Sequence, residues 1–246
     1  MMLGIVILAA GEGKRMKSDR AKVLIEVVGR PMIDSVIEAA RGLDPVKIVV
    51  VVGDRMEQVI AHLKGARVVF CVQSEQRGTA DAVKCAASPF DGFEGEILVL
   101  CGDTPFVTTQ TLKGLVDLHR EADAVATVLT AIHDDPKEYG RIVRDGEGNL
   151  DRIVEFADAD VSIRAIREVN GGIYVFDSRE LWSALGSIGT DNVQGEFYLT
   201  DIFTVFKNKG KKVAAVAAEN PLETAGINRY EQIEQYENAF ENLSND

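Results

Sequence analysis

No apolar stretch in the sequence approaches the ~20 residues that span a membrane, so a membrane-crossing chain is not expected. The N-terminus carries neither the cationic lead nor the small-residue cleavage site of a secretory signal. There are only three cysteines, Cys71, Cys85 and Cys101, in no CxxC spacing and no even set. That excludes a disulfide framework and argues for reduced core thiols in a cytoplasmic protein. Basic residues are the minority, 27 against 39 acidic, for a formal net charge of −12. A nucleic acid or an anionic membrane would want a basic face, so neither is an expected partner. Repeats of 20–50 residues and low-complexity tracts are also missing, which removes solenoids and propellers.

What is present suits one large globular unit, or a main domain with a small lobe: 246 residues, 46% of them apolar. Aliphatic runs recur at Leu3 to Ala10, Lys47 to Gly53, Ala66 to Gln73 and Glu96 to Asp103. They are continuous rather than alternating, the pattern of strands covered on both faces. Helical patterns lie between them: "PMIDSVIEAARGL", with Pro31 in its first turn and a stop near Gly42, then "MEQVIAHLKG" and "GTADAVKCAA". Strand and helix alternating at this pitch predict an α/β fold, a doubly wound, mostly parallel, Rossmann-like sheet. After about Ala131 the texture changes. "YGRIVRDGEGNLDRIVEF" reads as a hairpin around Asp145 to Asn149, and "REVNGGIYVFD" as a strand. "EFYLTDIFTVFKNKGKKVAAVAA" reads as a helix, a stop at Gly210 and a strand. "NRYEQIEQYENAFENL" reads as an amphipathic surface helix, and the closing "ENLSND" as a tail without structure. The expected division is a parallel-sheet part at about 1–130, a smaller mixed lobe at about 131–228, and a helix and tail at 229–246, with no linker between the first two.

In open α/β sheets ligands sit outside the carboxyl ends of the strands. Three loops there carry chemistry. After the first strand comes "LAAGEGKRMKSDRAK", with two glycines in three positions and then Lys14, Arg15, Lys17, Arg20 and Lys22, a run in which Asp19 is the one acid. It is neither common phosphate motif: the Walker spacing is absent, and Met16 stands where the dinucleotide fingerprint has its third glycine. What remains is a glycine loop whose N–H groups can approach an anion, with Arg15 and Lys22 supplying charge; anion binding is the favoured reading and a structural turn the alternative. The second loop, "VQSEQRGTADAV", offers the Gln73 amide for the hydrogen-bonding edge of a base and Gly78 for close approach, or simply a helix capped by Thr79. The third, "LVLCGDTPF", places Asp103 at a strand end, where an acid caps a turn or holds Mg²⁺. One cationic, one amide-bearing and one acidic loop at a common edge together match a nucleoside triphosphate and its metal.

With these residues in place the sequence resembles the sugar-1-phosphate nucleotidyltransferases, most of all their N-acetylglucosamine-1-phosphate uridyltransferase branch. "LAAGEGKRM" with Lys22 is similar to the family's nucleotide loop, "EQRGTADA" to its base-binding segment and "LCGDTP" to its metal strand. "YGRIV", "IVEF", "VNGGIYVFD", "QGEFYLTD" and "GINRYEQ" follow in the family's order, so the resemblance covers nearly the whole chain. It implies transfer of a uridylyl group from UTP to N-acetylglucosamine 1-phosphate, giving UDP-N-acetylglucosamine and pyrophosphate, with Mg²⁺. By the same resemblance Arg15 and Lys22 are catalytic. Leu8, Ala9, Ala10, Gly11, Gly13, Gln73, Gly78, Thr79, Cys101 and Gly102 bind nucleotide, with Gln73 reading the uracil. Gly140, Glu155, Asn170, Tyr198 and Thr200 face the sugar, and Asp103 and Asn228 hold the metal. Asn228 rests on the resemblance alone, because an asparagine before a helix is ordinarily a cap. None of His62, His119 and His133 falls in a matching motif, and attack by a sugar phosphate needs no general base. The chemistry expected is positioning and charge neutralisation.

Four departures from the family pattern stand out. Ala21 replaces a usual proline before Lys22, which predicts a less rigidly placed lysine. Cys101 replaces an aromatic at the site's edge, Gly171 a frequent threonine, and Ala157 a usual lysine. The last three touch the sugar side and leave another hexose 1-phosphate as the nearest rival, with a non-catalytic nucleotide-sugar sensor further off. The relatives carry a hexapeptide-repeat acetyltransferase domain after the terminal helix, and the sequence ends at that helix. No acetyl-CoA-dependent activity is expected, and a monomer or weak oligomer is.

Overall fold

The computed structural model describes residues 1–244, with side chains to Phe240. The isoleucines and valines of β1 (Leu3–Ala9) explain its position: Ile5 and Ile7 point to one side, Val6 to the other, and all three are fully buried. Residues alternate across a strand, so a run apolar at every position must be covered on both faces. β1 is the centre of a parallel set, pairing with β4 (Lys47–Val52) on one side and β6 (Glu96–Cys101) on the other. β5 (Val69–Val72) extends the sheet beyond β4. Beyond β6 comes β10 (Glu168–Asp177), antiparallel to its neighbours, then β7 (Ala126–Ile132) and β11 (Val213–Ala217). The order is β11-β7-β10-β6-β1-β4-β5, and β10 alone runs against the rest of that path.

The two faces carry separate cores. Ile5, Ile7, Val50 and Leu98 meet α1 (Met32–Arg41), α2 (Met56–His62) and α4 (Thr109–Glu121). Val6, Val51, Val99 and Phe176 meet α3 (Thr79–Cys85), α6 (Ser178–Leu185) and α7 (Asp201–Asn208). The doubly wound α/β sheet is therefore as expected. The hairpin read around Asp145 to Asn149 is β8 (Arg141–Arg144) and β9 (Leu150–Val154), hung from the start of β10 through the pair Val169–Arg141. α5 (Val161–Arg164) is a single turn after it. A third small cluster seats α8 (Glu231–Ser244): its Ile233, Tyr236, Ala239 and Phe240 pack on Met16, Phe106 and Leu222.

Some expectations need correction. β5 is an edge strand of four residues with Val69 and Val72 exposed, so its apolar run reflects an edge and not two-sided cover. Pro31 does not lie in the first turn of α1. It precedes the helix in β3 (Arg30–Pro31), which pairs with β2 (Glu26–Val27) in a small hairpin. α7 starts at Asp201, leaving Glu196 to Thr200 outside the helix. Backbone helix continues to Ser244 into the stretch read as a tail, since each added helical residue gains a hydrogen bond once the helix exists. Asn245 and Asp246, the rest of that stretch, lie outside the described residues. Among the described residues, no helix is long and apolar enough to cross a membrane.

Candidate active site

Because β1, β4, β5 and β6 are parallel, the loops that follow them open at one edge, with the switch in strand order between β1 and β6. The Gly102 N–H donates to Leu8 O (2.9 Å), joining the two loops at that switch. A Cβ on Gly102 would stand 3.1 Å from the same oxygen. The glycine loop leaves β1 through Ala10 and turns at Gly13, whose φ is +63°. A side chain there would also collide with Lys22 Cβ at 2.8 Å. A short 3-10 turn, Lys14–Met16, follows; Met16 is buried in the cluster under α8 and anchors it. Arg15, one residue earlier, is left pointing out.

Lys22 makes the central contact. Its ammonium forms an ion pair with Asp103 and donates to Asn228 Oδ1 (2.7 Å), so both proposed metal ligands turn an oxygen to one point. Arg15 donates to the same Asn228 oxygen (3.0 Å) and to Glu138 (3.0 Å). The expected looseness of Lys22 is offset. Ala21 N–H donates to Gln58 Oε1 (2.7 Å), a bond for which a proline has no N–H. Gln58 in turn donates to Asp19 O (3.0 Å), and Arg55 donates to Arg20 O (2.9 Å). Neither Gln58 nor Arg55 carries a signal in the sequence, because each acts on backbone atoms.

The Gln73 amide is buried at the end of β5, and its nitrogen donates to Gly78 O (3.1 Å) and Asp81 Oδ2 (2.9 Å). Both partners are acceptors, so the orientation of the amide follows and its oxygen is left as the acceptor to offer. Thr79 is not a helix cap: Gly78 occupies that position, and Thr79 Oγ1 accepts from Leu199 N–H (2.9 Å). Phe197 N–H donates to Arg77 O (2.8 Å) and Ala80 N–H to Phe197 O (2.9 Å). This backbone zipper leaves a Gly78 Cβ only 2.5 Å from Phe197 O, at a φ of +119°. Glycine is required there by neighbours as well as by conformation. The zipper ties the loop after β5 to Tyr198 and Thr200.

Thr200 Oγ1 donates to Glu155 Oε1 (2.9 Å), and burial pushes the Glu155 carboxyl upward. A Cβ on Gly140 would stand 3.2 Å from Glu155 Oε2 and 3.5 Å from Asn170 Cβ, so these three lie together. Asn170 exchanges hydrogen bonds with the Tyr174 hydroxyl (2.8 and 3.0 Å) and accepts from Gly172 N–H (3.0 Å). Tyr198 donates its hydroxyl to Gln194 (2.8 Å). A register shift in β10 between Asn170 and Ile173 puts Gly171 against Leu129 O and Thr224, 2.6 and 2.8 Å from a would-be Cβ. No side chain fits there without movement. Cys101 lies under the same bulge, donating its thiol to Gly172 O (3.3 Å), and burial raises that thiol to about 12. Nothing in the structure explains the alanine at 157. The histidines are engaged elsewhere: His62 with Asp34 (2.9 Å), buried His119 with Thr127 (2.8 Å), and His133 stacked on Tyr139.

The nucleotidyl transferase family model matches residues 5–221. The chain belongs to that family. It is 48% identical to the bifunctional protein GlmU of Pelotomaculum thermopropionicum over 237 residues, covering 96% of this chain and 52% of that protein. The GlmU of Cutibacterium acnes is 47% identical, with 92% of this chain and 56% of that protein covered. The chain thus spans about half the length of these relatives. A solved Bacillus anthracis structure assigned as a glucose-1-phosphate thymidylyltransferase superposes with a TM-score of 0.77 over 96% of this chain and 94% of that one, at 21% identity. At that identity the likeness speaks for the fold.

Asp103 and Asn228 fit a small hard cation, since both offer oxygen and a single ammonium already reaches them together. Among the described residues no cluster of three or more His, Cys, Asp or Glu could hold a metal. Mg²⁺ does not ask for one: it takes one or two carboxylates and completes its shell with water and phosphate.

Proposed function

We propose that the chain transfers the uridylyl group of UTP to N-acetylglucosamine 1-phosphate, with release of pyrophosphate. The observation that carries this reading is the convergence of Lys22, Asp103, Asn228 and Arg15 beside a glycine loop at the switch point of the sheet. Residues 1–130 are taken as the nucleotide side and 131–228 as the sugar side. Gly11, Gly13 and Gly102 let the backbone approach the triphosphate, and Gln73 offers its oxygen to the uracil N–H. Gly140, Glu155, Asn170, Tyr198 and Thr200 take the sugar's hydroxyl and amide groups. Lys22 and Arg15 turn from their protein acceptors to the phosphates and hold the two anionic reactants in line. Mg²⁺ at Asp103 and Asn228 supplies further neutralisation of the phosphate charge when bound. The three free thiols suit the cytoplasm, and a monomer or weak oligomer is taken as the working form.

The test is pyrophosphate release from UTP and Mg²⁺ with N-acetylglucosamine 1-phosphate, glucose 1-phosphate or no sugar. Fast release with the amino sugar alone supports the reading. Release with another sugar phosphate instead keeps the chemistry and moves the specificity, with Gly171 and Ala157 the first positions to vary. No release with any of them overturns it in favour of a sensor.

A further inference from the structure

Glu138 stands where nothing in the nucleotidyl-transfer reading needs an acid. Its carboxylate accepts from Arg15 Nη1 (3.0 Å) through one oxygen and from Arg229 Nη2 (3.5 Å) through the other. A cleft of about 420 Å³ opens beside it, lined by Arg15, Lys137, Tyr139 and Asn228. Glu138 therefore sits between two guanidinium groups at the edge of the site and takes up the charge that Arg15 would give a phosphate.

An exposed ion pair ordinarily contributes little, because two long side chains must be ordered to make it. Here the backbone under Glu138 is already ordered. Arg141, only 2% exposed, donates to Lys137 O (2.9 Å), to Pro136 O (3.4 Å) and to Tyr139 O, the carbonyls on either side of Glu138. Its Nε also donates to Arg164 O (3.3 Å), and its guanidinium lies over the Phe156 ring. A buried cation spent on main-chain carbonyls is a costly way to shape a surface turn unless the turn has to present something. Lys137 adds to this with a left-handed φ of +41°, and Tyr139 is held by the ring of His133.

We propose that Glu138 is an affinity-setting residue that competes with the phosphates for Arg15, weakening the hold on the triphosphate and speeding the departure of pyrophosphate. It acts through Arg15 and touches no reacting atom. The inference rests on the reading above only in taking Arg15 as a phosphate ligand.

The probe is inorganic pyrophosphate, titrated calorimetrically into the wild-type protein and E138Q, which keeps the shape and removes the charge. Binding tighter by about 1.5- to fivefold in E138Q, the range of a single exposed pair, is the expected result. The gain shrinks as salt is raised, and it disappears when both proteins also carry R15A. In turnover, the same variant lowers KM for the nucleotide and leaves KM for the sugar phosphate unchanged. Equal or weaker binding in E138Q, a gain that survives in R15A, or no pyrophosphate binding by either protein overturns the proposal. Tighter binding in E138Q from a protein that turns over no sugar phosphate would leave Glu138 in this role and remove the substrates proposed above.

Discussion

Lys22 Nζ lies 2.7 Å from Asn228 Oδ1, across 206 residues of chain, and the same ammonium is paired with Asp103. A single cation thus joins the loop after β1, the loop after β6 and the approach to α8. It occupies the point at which the proposed metal ligands converge, so a metal ion bound there would take the place of the Lys22 ammonium.

Lys22→Ala and Asp103→Ala should each lower turnover by more than ~10²-fold, the scale of losing one electrostatic contact to a reacting phosphate. Pyrophosphate release and circular dichroism, measured side by side, separate lost chemistry from lost fold. Near-normal turnover in either variant removes that residue from its role.

Glu155 makes a prediction about pH. Burial raises its carboxyl above the ordinary value of 4.5, against a smaller opposing effect of the Thr200 hydroxyl. An acid raised in the folded state contributes fully below its unfolded value, and that contribution is lost as pH climbs through the folded one. Glu155→Gln keeps an oxygen for Thr200 and has nothing to ionise. The melting temperature of the variant minus that of the wild type should therefore grow as pH rises above about 4.5, and level off only once pH has passed the raised value. A flat difference across that range contradicts the assignment.

Thr79→Val removes the acceptor of the Leu199 N–H and leaves a buried donor unpaired, at a cost of about 1–3 kcal/mol. Thr79→Ser keeps the acceptor and should restore stability. Because Thr79 stands in the proposed nucleotide segment and the zipper carries Tyr198 and Thr200, the valine variant should also raise KM for both the nucleotide and the sugar phosphate. Kinetics on all three proteins decide it.

Gly171→Thr, which restores the residue frequent in the family, should destabilise this protein. Its Cβ would meet Leu129 O at 2.6 Å as well as the Thr224 side chain, and a backbone oxygen in a paired strand has little room to move. Overpacking of this kind costs about 1–3 kcal/mol, which for a chain of this size lowers the melting temperature by about 2–4 °C per kcal/mol. An unchanged melting temperature would mean that β10 adjusts freely.

The central sheet could be read from the sequence because β1, β4 and β6 are buried on both faces and need aliphatics at every position. The edge strand β5 could not be bounded in the same way, since two of its valines face solvent. The β2–β3 hairpin was hidden by its turn, where Val28 takes a φ of +52° beside Gly29. A β-branched residue is a poor turn signal. Within the site, the glycine loop, Lys22 and Asp103 announced themselves by residue type. Gln58, Arg55 and Arg141 did not, because they act on carbonyl and amide groups that every residue possesses. Thr79 looked like a cap from its place before a helix, and only the neighbouring Leu199 N–H shows otherwise. Asn228 has no pattern of its own and depended on the family resemblance.

β10 is ten residues long and β6 only six, and their pairing aligns Asp177 with Glu96, so the early part of β10 overhangs the crevice. The β8–β9 hairpin hangs from that overhang, and Gly140 and Glu155 come with it. The molecule is built as a bench with a cantilevered shelf. Loops on the shelf can be lengthened, shortened or exchanged without disturbing the parallel strands that carry the proposed phosphate loops. On the proposed reading, a changed shelf would alter which acceptor fits and leave the phosphate side as it is.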